Sequence, residues 1–231
     1  MKWTYFLVDF FTILIPFVFS FHPRIQFHRY FKPYFIANLA SASIFVAWDI
    51  LFTKAGVWGF NEKYISGIRL YNLPIEEILF FFCIPFACLF TYHCFSIFFR
   101  VRWSKNWTDY IVLSLTFFLL ITGAMNAGRA YTAMTFLSIG LILLLFMFVF
   151  RVDWLDRMLT TYLVLLLPFF IVNGILTGTG LKEPIVWYDN EENMAIRILT
   201  IPVEDVVYGF ELIAITIFGF ERLKSASLLN R

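Results

Sequence analysis

The stretch WDILFTKAGVWGFNEKYISGIRLYNLPIEE, from Trp48 to Glu77, has a counterpart later in the chain. The counterpart starts with VNGILTGTG at Val172 and resumes with IVWYDNEENMAIRILTIPVED, which ends at Asp205. The matches, in chain order, are Asp49 with Asn173, Thr53 with Thr177, Val57-Trp58 with Val186-Trp187, Ile68-Arg69-Leu70 with Ile196-Arg197-Ile198, and Pro74-Ile75-Glu76-Glu77 with Pro202-Val203-Glu204-Asp205. An ordered series of this kind predicts an internal repeat.

The chain is too apolar for a soluble protein. Of its 231 residues, 61% are hydrophobic and only 15% are charged, whereas a soluble domain carries charge at about a quarter of its positions. A spanning helix needs about 20 mainly apolar residues. Seven segments qualify, namely Trp3–Phe21, Pro33–Phe52, Glu76–Phe99, Trp107–Met125, Ala130–Phe150, Trp154–Leu176 and Val203–Phe220. The sequence therefore predicts an all-α integral membrane protein with seven transmembrane helices.

The repeat predicts how these helices are grouped. It lies between the second and third helices and again between the sixth and seventh, so corresponding helices cross the membrane in the same direction. We expect two parallel three-helix repeats, residues 1–100 and 130–231, joined by a connecting helix in residues 101–129. Parallel repeats are related by an axis along the membrane normal, so both motif loops lie at one face and can converge on one cavity.

Lysines and arginines indicate the orientation. The face with the amino terminus and both long loops carries seven of them, namely Lys2, Lys54, Lys63, Arg69, Arg129, Lys182 and Arg197. The other face carries eleven, namely Arg24, Arg29, Lys32, Arg100, Arg102, Lys105, Arg151, Arg157, Arg222, Lys224 and Arg231. Because cytoplasmic loops carry the positive excess, we expect an external amino terminus and a cytoplasmic carboxyl terminus, in a bacterial inner membrane.

Acidic residues near the helix ends are the candidates for catalysis. They are Glu76, Glu77, Glu204, Asp205 and Asp49. Ionisable groups at membrane depth are costly and usually functional. Two adjacent carboxylates in a pocket of low dielectric constant do not both ionise freely, so one remains a general acid near neutral pH. Acids in a first helical turn also complement the helix dipole, but the recurrence of the pair favours chemistry.

Two further residue types recur inside the loops. Trp58 and Trp187 would hold a carbocation against their π faces, or anchor the chain at the membrane interface. Arg69 and Arg197 would orient the acids, or lie at the interface as ordinary arginines. The sequence has no glycine-rich nucleotide fingerprint and no His/Cys cluster with metal-ligand spacing, so we expect no cofactor and no metal.

The twofold Pro-x-Glu-Glu/Asp motif, with WD-x-x-FT and GVWGFN upstream of its first copy, resembles the lycopene cyclase domain family. That family includes heterodimeric cyclases of some bacteria, fused versions of them, and the cyclase part of fungal bifunctional carotenoid enzymes. The chain resembles the fused form, from its first helix to about Phe220.

The resemblance implies a lycopene β-cyclase of carotenoid biosynthesis, an isomerase or intramolecular lyase. Such an enzyme closes the linear ends of lycopene to β-rings by acid catalysis, giving β-carotene via γ-carotene without redox change. By motif position it implies that the proton donor is among Glu76, Glu77, Glu204 and Asp205, with Glu77 and Glu204 as first choices. It implies supporting roles for Asp49, Thr53, Asn173 and Thr177. Expected partners are lycopene and other linear carotenoids, the lipid bilayer and other carotenoid enzymes, and no nucleic acid.

Two other functions are compatible with an apolar helical bundle. An intramembrane prenyltransferase needs Asp-rich motifs that hold Mg²⁺ and diphosphate, and Asp189, Glu191 and Glu192 imitate them only weakly. A transporter or carotenoid-binding scaffold would have broken helices with polar residues at mid-depth. The acids here lie at helix ends, which favours the cyclase.

Overall fold

The computed structural model describes residues 2–99 and 102–229. Seven α-helices follow one another along the described chain, namely α1 (Thr4–Phe19), α2 (Phe31–Ala55), α3 (Ile75–Phe98), α4 (Lys105–Met125), α5 (Ala130–Leu144), α6 (Leu155–Leu176) and α7 (Val203–Leu229). A 3₁₀ turn precedes α2 and a π-helical turn, Leu145–Val149, extends α5. Every apolar segment predicted above coincides with one helix. Arg100 and Arg231, which entered the charge comparison, lie outside the described residues.

Membrane character is clear in most of these helices. Within the described chain, five helical segments are long and apolar enough to cross a bilayer: Phe27–Ala55, Ile75–Phe98, Lys105–Met125, Ala130–Val149 and Leu155–Leu176. Helix α1 is apolar but has only 16 residues. Helix α7 is long but carries three acids near its start, at positions 204, 205 and 211. The chain is thus an all-α membrane protein.

Short strands in the two long loops repeat one backbone pattern. In the first loop β2 (Arg69–Leu70) pairs with β3 (Leu73–Pro74), and in the second β5 (Arg197–Ile198) pairs with β6 (Ile201–Pro202). Both turns contain a non-glycine residue with positive φ, 56° and 59°. The two loops therefore fold alike, as the sequence repeat suggests.

The loops are joined to each other by a third ladder. Strand β1 (Trp58–Phe60) pairs antiparallel with β4 (Val186–Tyr188), and Gly59 lies opposite Trp187. Two equivalent hydrogen bonds flank the ladder, from Asn61 N to Ile185 O (2.8 Å) and from Asp189 N to Val57 O (2.9 Å). If these two hydrogen bonds are taken as equivalent, Trp58 corresponds to Val186 and Gly59 corresponds to Trp187. The sequence alignment, which matches the two Val-Trp pairs because their residues are identical, is therefore shifted by one residue from the structural alignment.

Both loops sit at the end of the bundle where α1, α3, α5 and α7 begin, which we call the motif end. The first turns of α1 and α5 bond to them: Tyr5 N donates to Tyr64 O (3.2 Å) and Tyr131 N donates to Glu192 O (2.9 Å). Lys63 of the first loop also bonds to Glu183 of the second (2.6 Å). That contact raises the pKa of Lys63 and lowers the pKa of Glu183, through the hydrogen bond first and the charge second.

Helices α2 and α7 pack tightly against each other. A Cβ on Gly219 would lie 3.0 Å from the Cβ of Ala37, and Ser41 Oγ lies 2.9 Å from Thr216 Oγ1. Small residues and hydroxyl contacts are typical of close helix pairs in membranes. This side of the bundle is therefore closed.

Candidate active site

A cavity of about 590 Å³ lies on the opposite side, among α1, α3, α6 and α7. Its polar groups are concentrated at the motif end, where Asp49, Glu77, Asn173 and Asp205 line it. Mainly apolar side chains line the rest, with Thr12, Thr91 and Tyr162 among them. A long hydrocarbon with one reacting end fits such a cavity, since pockets of this kind combine apolar walls with a few placed polar groups.

Glu77 reaches the cavity from the first turn of α3. The hydroxyl of Tyr5 donates to Glu77 Oε2 across 2.5 Å, and Tyr5 is itself 1% exposed in the first turn of α1. One hydrogen bond fixes the position of this buried carboxyl group without satisfying all of its acceptor sites. Glu77 is thus well placed to exchange a proton with a ligand.

Asp205 occupies the matching position at the start of α7, with a richer environment. Its Oδ1 accepts a hydrogen bond from Tyr131 (2.6 Å), and its Oδ2 accepts from Asn173 Nδ2 (2.7 Å) and from Tyr188 (2.9 Å). Burial raises the pKa of Tyr188, and the Asp205 carboxylate raises it further, so this phenol stays a neutral donor. Three donors on one carboxylate favour its anion.

Asp49 is the third acid on the cavity. Its Oδ1 accepts hydrogen bonds from the indole N–H of Trp58 and from Thr53 Oγ1 (3.4 Å). Its Oδ2 is buried and has no hydrogen-bond partner. Asp49 lies in the last two turns of α2, at the place that Asn173 has in α6. In the second half the amide donates to Asp205, whereas in the first half a carboxyl group faces the cavity beside Glu77.

Glu76 and Glu204 do not line the cavity. Glu76 Oε1 accepts from the backbone N–H of Ser66 (2.6 Å), and Glu204 Oε1 accepts from Met194 N (2.8 Å) and Thr132 Oγ1 (2.6 Å). Neighbouring residues on a helix point in different directions, so each acidic pair contains one loop anchor and one cavity acid. Glu204, a first choice from sequence, is placed as an anchor, and Asp205 takes the cavity position.

The tryptophans of the two loops are also placed differently. Trp58 lines the cavity, and its ring centroid lies 5.0 Å from that of Tyr131 and 6.2 Å from that of Tyr208. The Trp187 indole lies over Gly59, where an added Cβ would meet it at 2.3 Å. Trp187 is 46% exposed and outside the cavity wall. Only the first tryptophan is positioned to contact a ligand.

The remaining sequence candidates support the loops. Arg69 donates to Asn72 O (2.6 Å) and also contacts Glu62. Arg197 repeats this with Thr200 O (2.8 Å) and Asn190 (2.9 Å). Thr177 bonds to the α6 backbone and to Thr200. None of these side chains lines the cavity, so they hold the motif loops in shape.

Sequence reasoning missed five tyrosines that line the cavity, namely Tyr5, Tyr131, Tyr162, Tyr188 and Tyr208. The signal available was weak: a tyrosine stands in the first turn of the first helix of each half, at positions 5 and 131. Tyr208 has no such counterpart, since Phe80 occupies the matching place in α3. Its hydroxyl is buried without a hydrogen-bond partner.

Two of the acids in the segment that weakly resembles a prenyltransferase motif accept hydrogen bonds from backbone N–H groups. Asp189 Oδ1 accepts from Glu191 N (2.9 Å), and Glu192 Oε2 accepts from Ala130 N (2.9 Å). Among the described residues, no group of three or more His, Cys, Asp and Glu side chains is arranged to hold a metal ion.

A comparison with protein families matches the chain twice to a single model, described as lycopene cyclase, over residues 2–95 and 128–223. The chain belongs to the lycopene cyclase family. The resemblance expected from the motifs is confirmed, and the two matched segments cover α1, α2 and most of α3, and α5, α6 and most of α7. No curated protein and no solved structure matched the chain. A carotenoid substrate and a lipid environment follow from the family and from the apolar helices.

Proposed function

We propose that this cyclase is a lycopene β-cyclase that closes the linear ends of lycopene by proton transfer, without redox chemistry. The observation that carries the proposal is that Glu77 and Asp205, at matching positions of the two halves, line one cavity with different hydrogen-bond environments. A non-redox cyclisation needs one group that gives a proton and another that takes one.

Glu77 is the proton donor in this proposal. It shares the cavity with Asp49, and two carboxyl groups in a water-poor site do not both ionise. The proton goes from Glu77 to the terminal double bond of the substrate and leaves a carbocation. The nearby double bond then attacks this cation and forms the ring bond, which moves the positive charge into the ring.

Asp205 is the proton acceptor. Its three donors hold it as an anion at a fixed position. It stabilises the ring cation and then removes a ring proton, so that the electron pair of the broken C–H bond forms the ring double bond. No atom is lost from the substrate overall, since one proton enters and one leaves. The β-ring requires that this proton come from the ring carbon attached to the polyene.

Aromatic faces would stabilise the cation between these two steps. Trp58, Tyr131, Tyr188 and Tyr208 form a connected group on the cavity wall, with ring centroids between 5.0 and 6.2 Å apart. A cation over such a face gains about 2 kcal/mol or more when water is excluded.

The substrate would reach the site from the lipid, between α1 and α6. Phe11 and Ile171 line the cavity and are 62% and 59% exposed, so the wall between them is open towards lipid. The opposite side, α2 with α7, is closed by Ala37 and Gly219. Entry of one end at a time between α1 and α6 would close the two ends of lycopene one after the other, with γ-carotene as the intermediate.

The topology that accompanies this proposal has seven spans. Residues 1–100 and 130–231 form the two repeats and residues 101–129 hold the connecting helix. The motif end faces outward from a bacterial inner membrane and the carboxyl terminus is cytoplasmic, as the charge comparison favours. Other carotenoid enzymes would exchange substrate and product with it through the bilayer.

Expression in cells that accumulate lycopene, followed by pigment analysis, tests the proposal. We expect β-carotene, with γ-carotene at early times. Unchanged lycopene would contradict a cyclase function, and ε-ring products would contradict the assignment of the β-ring. Cells that express the Glu77→Gln variant, which we expect to be inactive, are the matched control for this pigment analysis.

A further inference from the structure

Asp9 is a buried carboxyl group that the mechanism above does not use. It lies in α1, is 2% exposed, and both of its carboxylate oxygens are buried without a hydrogen-bond partner. It does not line the cavity, although its neighbours Val8 and Thr12 do. An isolated carboxylate at such a place costs several kcal/mol. Asp9 must therefore hold a proton or share one.

The groups that face Asp9 are themselves acidic. Tyr5 lies one turn away on the same face of α1, and α1 packs against the part of α3 that begins with Glu76 and Glu77. The Tyr5 hydroxyl in turn donates to Glu77 Oε2 across 2.5 Å. Glu76 Oε2, in the same turn of α3, is also buried without a partner. Asp9 and Glu76 thus place three buried carboxylate oxygens without donors on α1 and in the first turn of α3.

The second half has a hydroxyl in place of this acid. If α1 and α5 are superposed on Tyr5 and Tyr131, Asp9 corresponds to Thr135, whose hydroxyl is fully buried. The buried acid of that half is instead on α7, where Glu211 accepts a hydrogen bond from Ser138 (2.9 Å) at the place that Cys83 has in α3. A carboxyl group on the first helix, one turn from the tyrosine, is therefore specific to the half that carries the proposed proton donor.

We propose that Asp9 holds one proton and returns it to Glu77 after each ring closure, through the Tyr5 hydroxyl that lies between them. Asp9 is then a positioning residue that acts through Glu77, and the inference rests on the proposed function. After Glu77 has given its proton to the substrate, the Tyr5 hydroxyl passes its proton to the Glu77 carboxylate and takes the proton of Asp9. Asp9 regains a proton from water at the motif end. The proton taken by Asp205 returns to water, so the cycle is balanced.

Two variants and a matched control test this role in purified protein in lipid. Asp9→Asn keeps the shape and removes the proton, and Asp9→Thr installs the residue of the second half. Thr135→Val is the control at the corresponding place in α5. We expect both Asp9 variants to keep the wild-type rate in a single turnover with enzyme in excess. Their steady-state turnover should fall roughly a hundredfold, the low end for positioned proton transfer, and should fall earlier as pH rises.

Several outcomes would overturn the inference. Equal loss of the single-turnover and steady-state rates, with an unchanged pH profile, would mean that Asp9 only supports the fold. An equal loss of turnover in Thr135→Val would also mean that Asp9 only supports the fold. The infrared difference between the wild type and Asp9→Asn should contain the band of one protonated carboxyl group besides that of Glu77, and the absence of this difference band would contradict the proton on Asp9 even if the variants were inactive. Absence of ring formation by the wild type would instead refute the proposed function.

Discussion

The hydroxyl of Tyr131 donates a hydrogen bond to Asp205 across 2.6 Å and ties the start of α5 to the start of α7. Tyr5 makes the corresponding bond to Glu77 across 2.5 Å, between α1 and α3. A hydrogen bond from a tyrosine to a cavity acid thus occurs in both halves. What differs is the rest of the environment, because two further donors, Asn173 and Tyr188, reach Asp205.

Removal of the Tyr131 hydroxyl should slow the reaction without unfolding the protein. Tyr131→Phe deletes one of three donors to a buried carboxylate, and a hydrogen bond to a charged group contributes about 1.5–3 kcal/mol. We expect turnover of lycopene to fall roughly 10- to 100-fold. Tyr208→Phe is the matched control, because its hydroxyl has no partner, and it should change the rate little. An equal loss in both variants would contradict the role given to Asp205.

Each cavity acid should be needed for ring formation. Glu77→Gln and Asp205→Asn should each lower product formation by at least about a hundredfold, since each removes one of two proton-transfer groups. Glu204→Gln is the control, because the amide oxygen still accepts from Met194 and Thr132, and it should retain most activity. Pigment analysis of lycopene-accumulating cells measures this. If the halves were independent sites, each cavity variant would keep one working site.

Gly59 should be required for the ladder between the two loops. Gly59→Ala places a methyl group 2.3 Å from the Trp187 indole, and overpacking of this kind costs about 1–3 kcal/mol. We expect a lower thermal unfolding midpoint in detergent. Trp187→Ala alone should cost less, and the double variant should recover most of the loss. Additive effects of the two changes would contradict the contact.

Reporter fusions test the orientation. A reporter at the carboxyl terminus should be active in the cytoplasm, because the end of the bundle opposite the motif loops carries more lysines and arginines. A cysteine introduced into the loop 177–202 should react with a reagent that does not cross the membrane. The reverse pattern would place the motif end in the cytoplasm.

Ring closure in deuterated water should label the product. A carboxyl group that exchanges with solvent gives deuterium to the ring carbon that receives the proton. Purified protein in lipid should do this without added flavin, nicotinamide or metal. The pH dependence should report coupled carboxyl groups, whose apparent values belong to the set and not to one residue. A strict requirement for a reduced flavin, or unlabelled product, would contradict the mechanism.

The helices could be predicted from sequence because hydropathy and length determine spans in a bilayer. The repeated junction between each long loop and the helix after it is also visible in the sequence. Pro74-Ile75-Glu76-Glu77 and Pro202-Val203-Glu204-Asp205 have nearly the same residues. Which acid of each pair faces the cavity was not visible. Adjacent residues of a helix point about 100° apart, so the answer depends on the rotation of α3 and α7, which is set by packing.

The tyrosines and the register of the loop ladder needed the tertiary fold. Tyr188 reaches Asp205 because β4 lies against β1, and no local pattern in the sequence indicates that contact. The Val-Trp pairs suggested a register in which Trp58 and Trp187 are equivalent. The ladder instead places Trp187 against Gly59, because a glycine leaves the space that an indole ring needs.

The exposed cavity wall at Phe11 and Ile171 also affects how the rate of this protein should be measured. A substrate that arrives sideways from the acyl chains never equilibrates with bulk water. Its effective concentration is its mole fraction in the bilayer, so dilution with empty vesicles lowers the rate at constant total lycopene. An apparent KM quoted per litre would depend on the amount of lipid, whereas one quoted per lipid molecule would be a property of the enzyme.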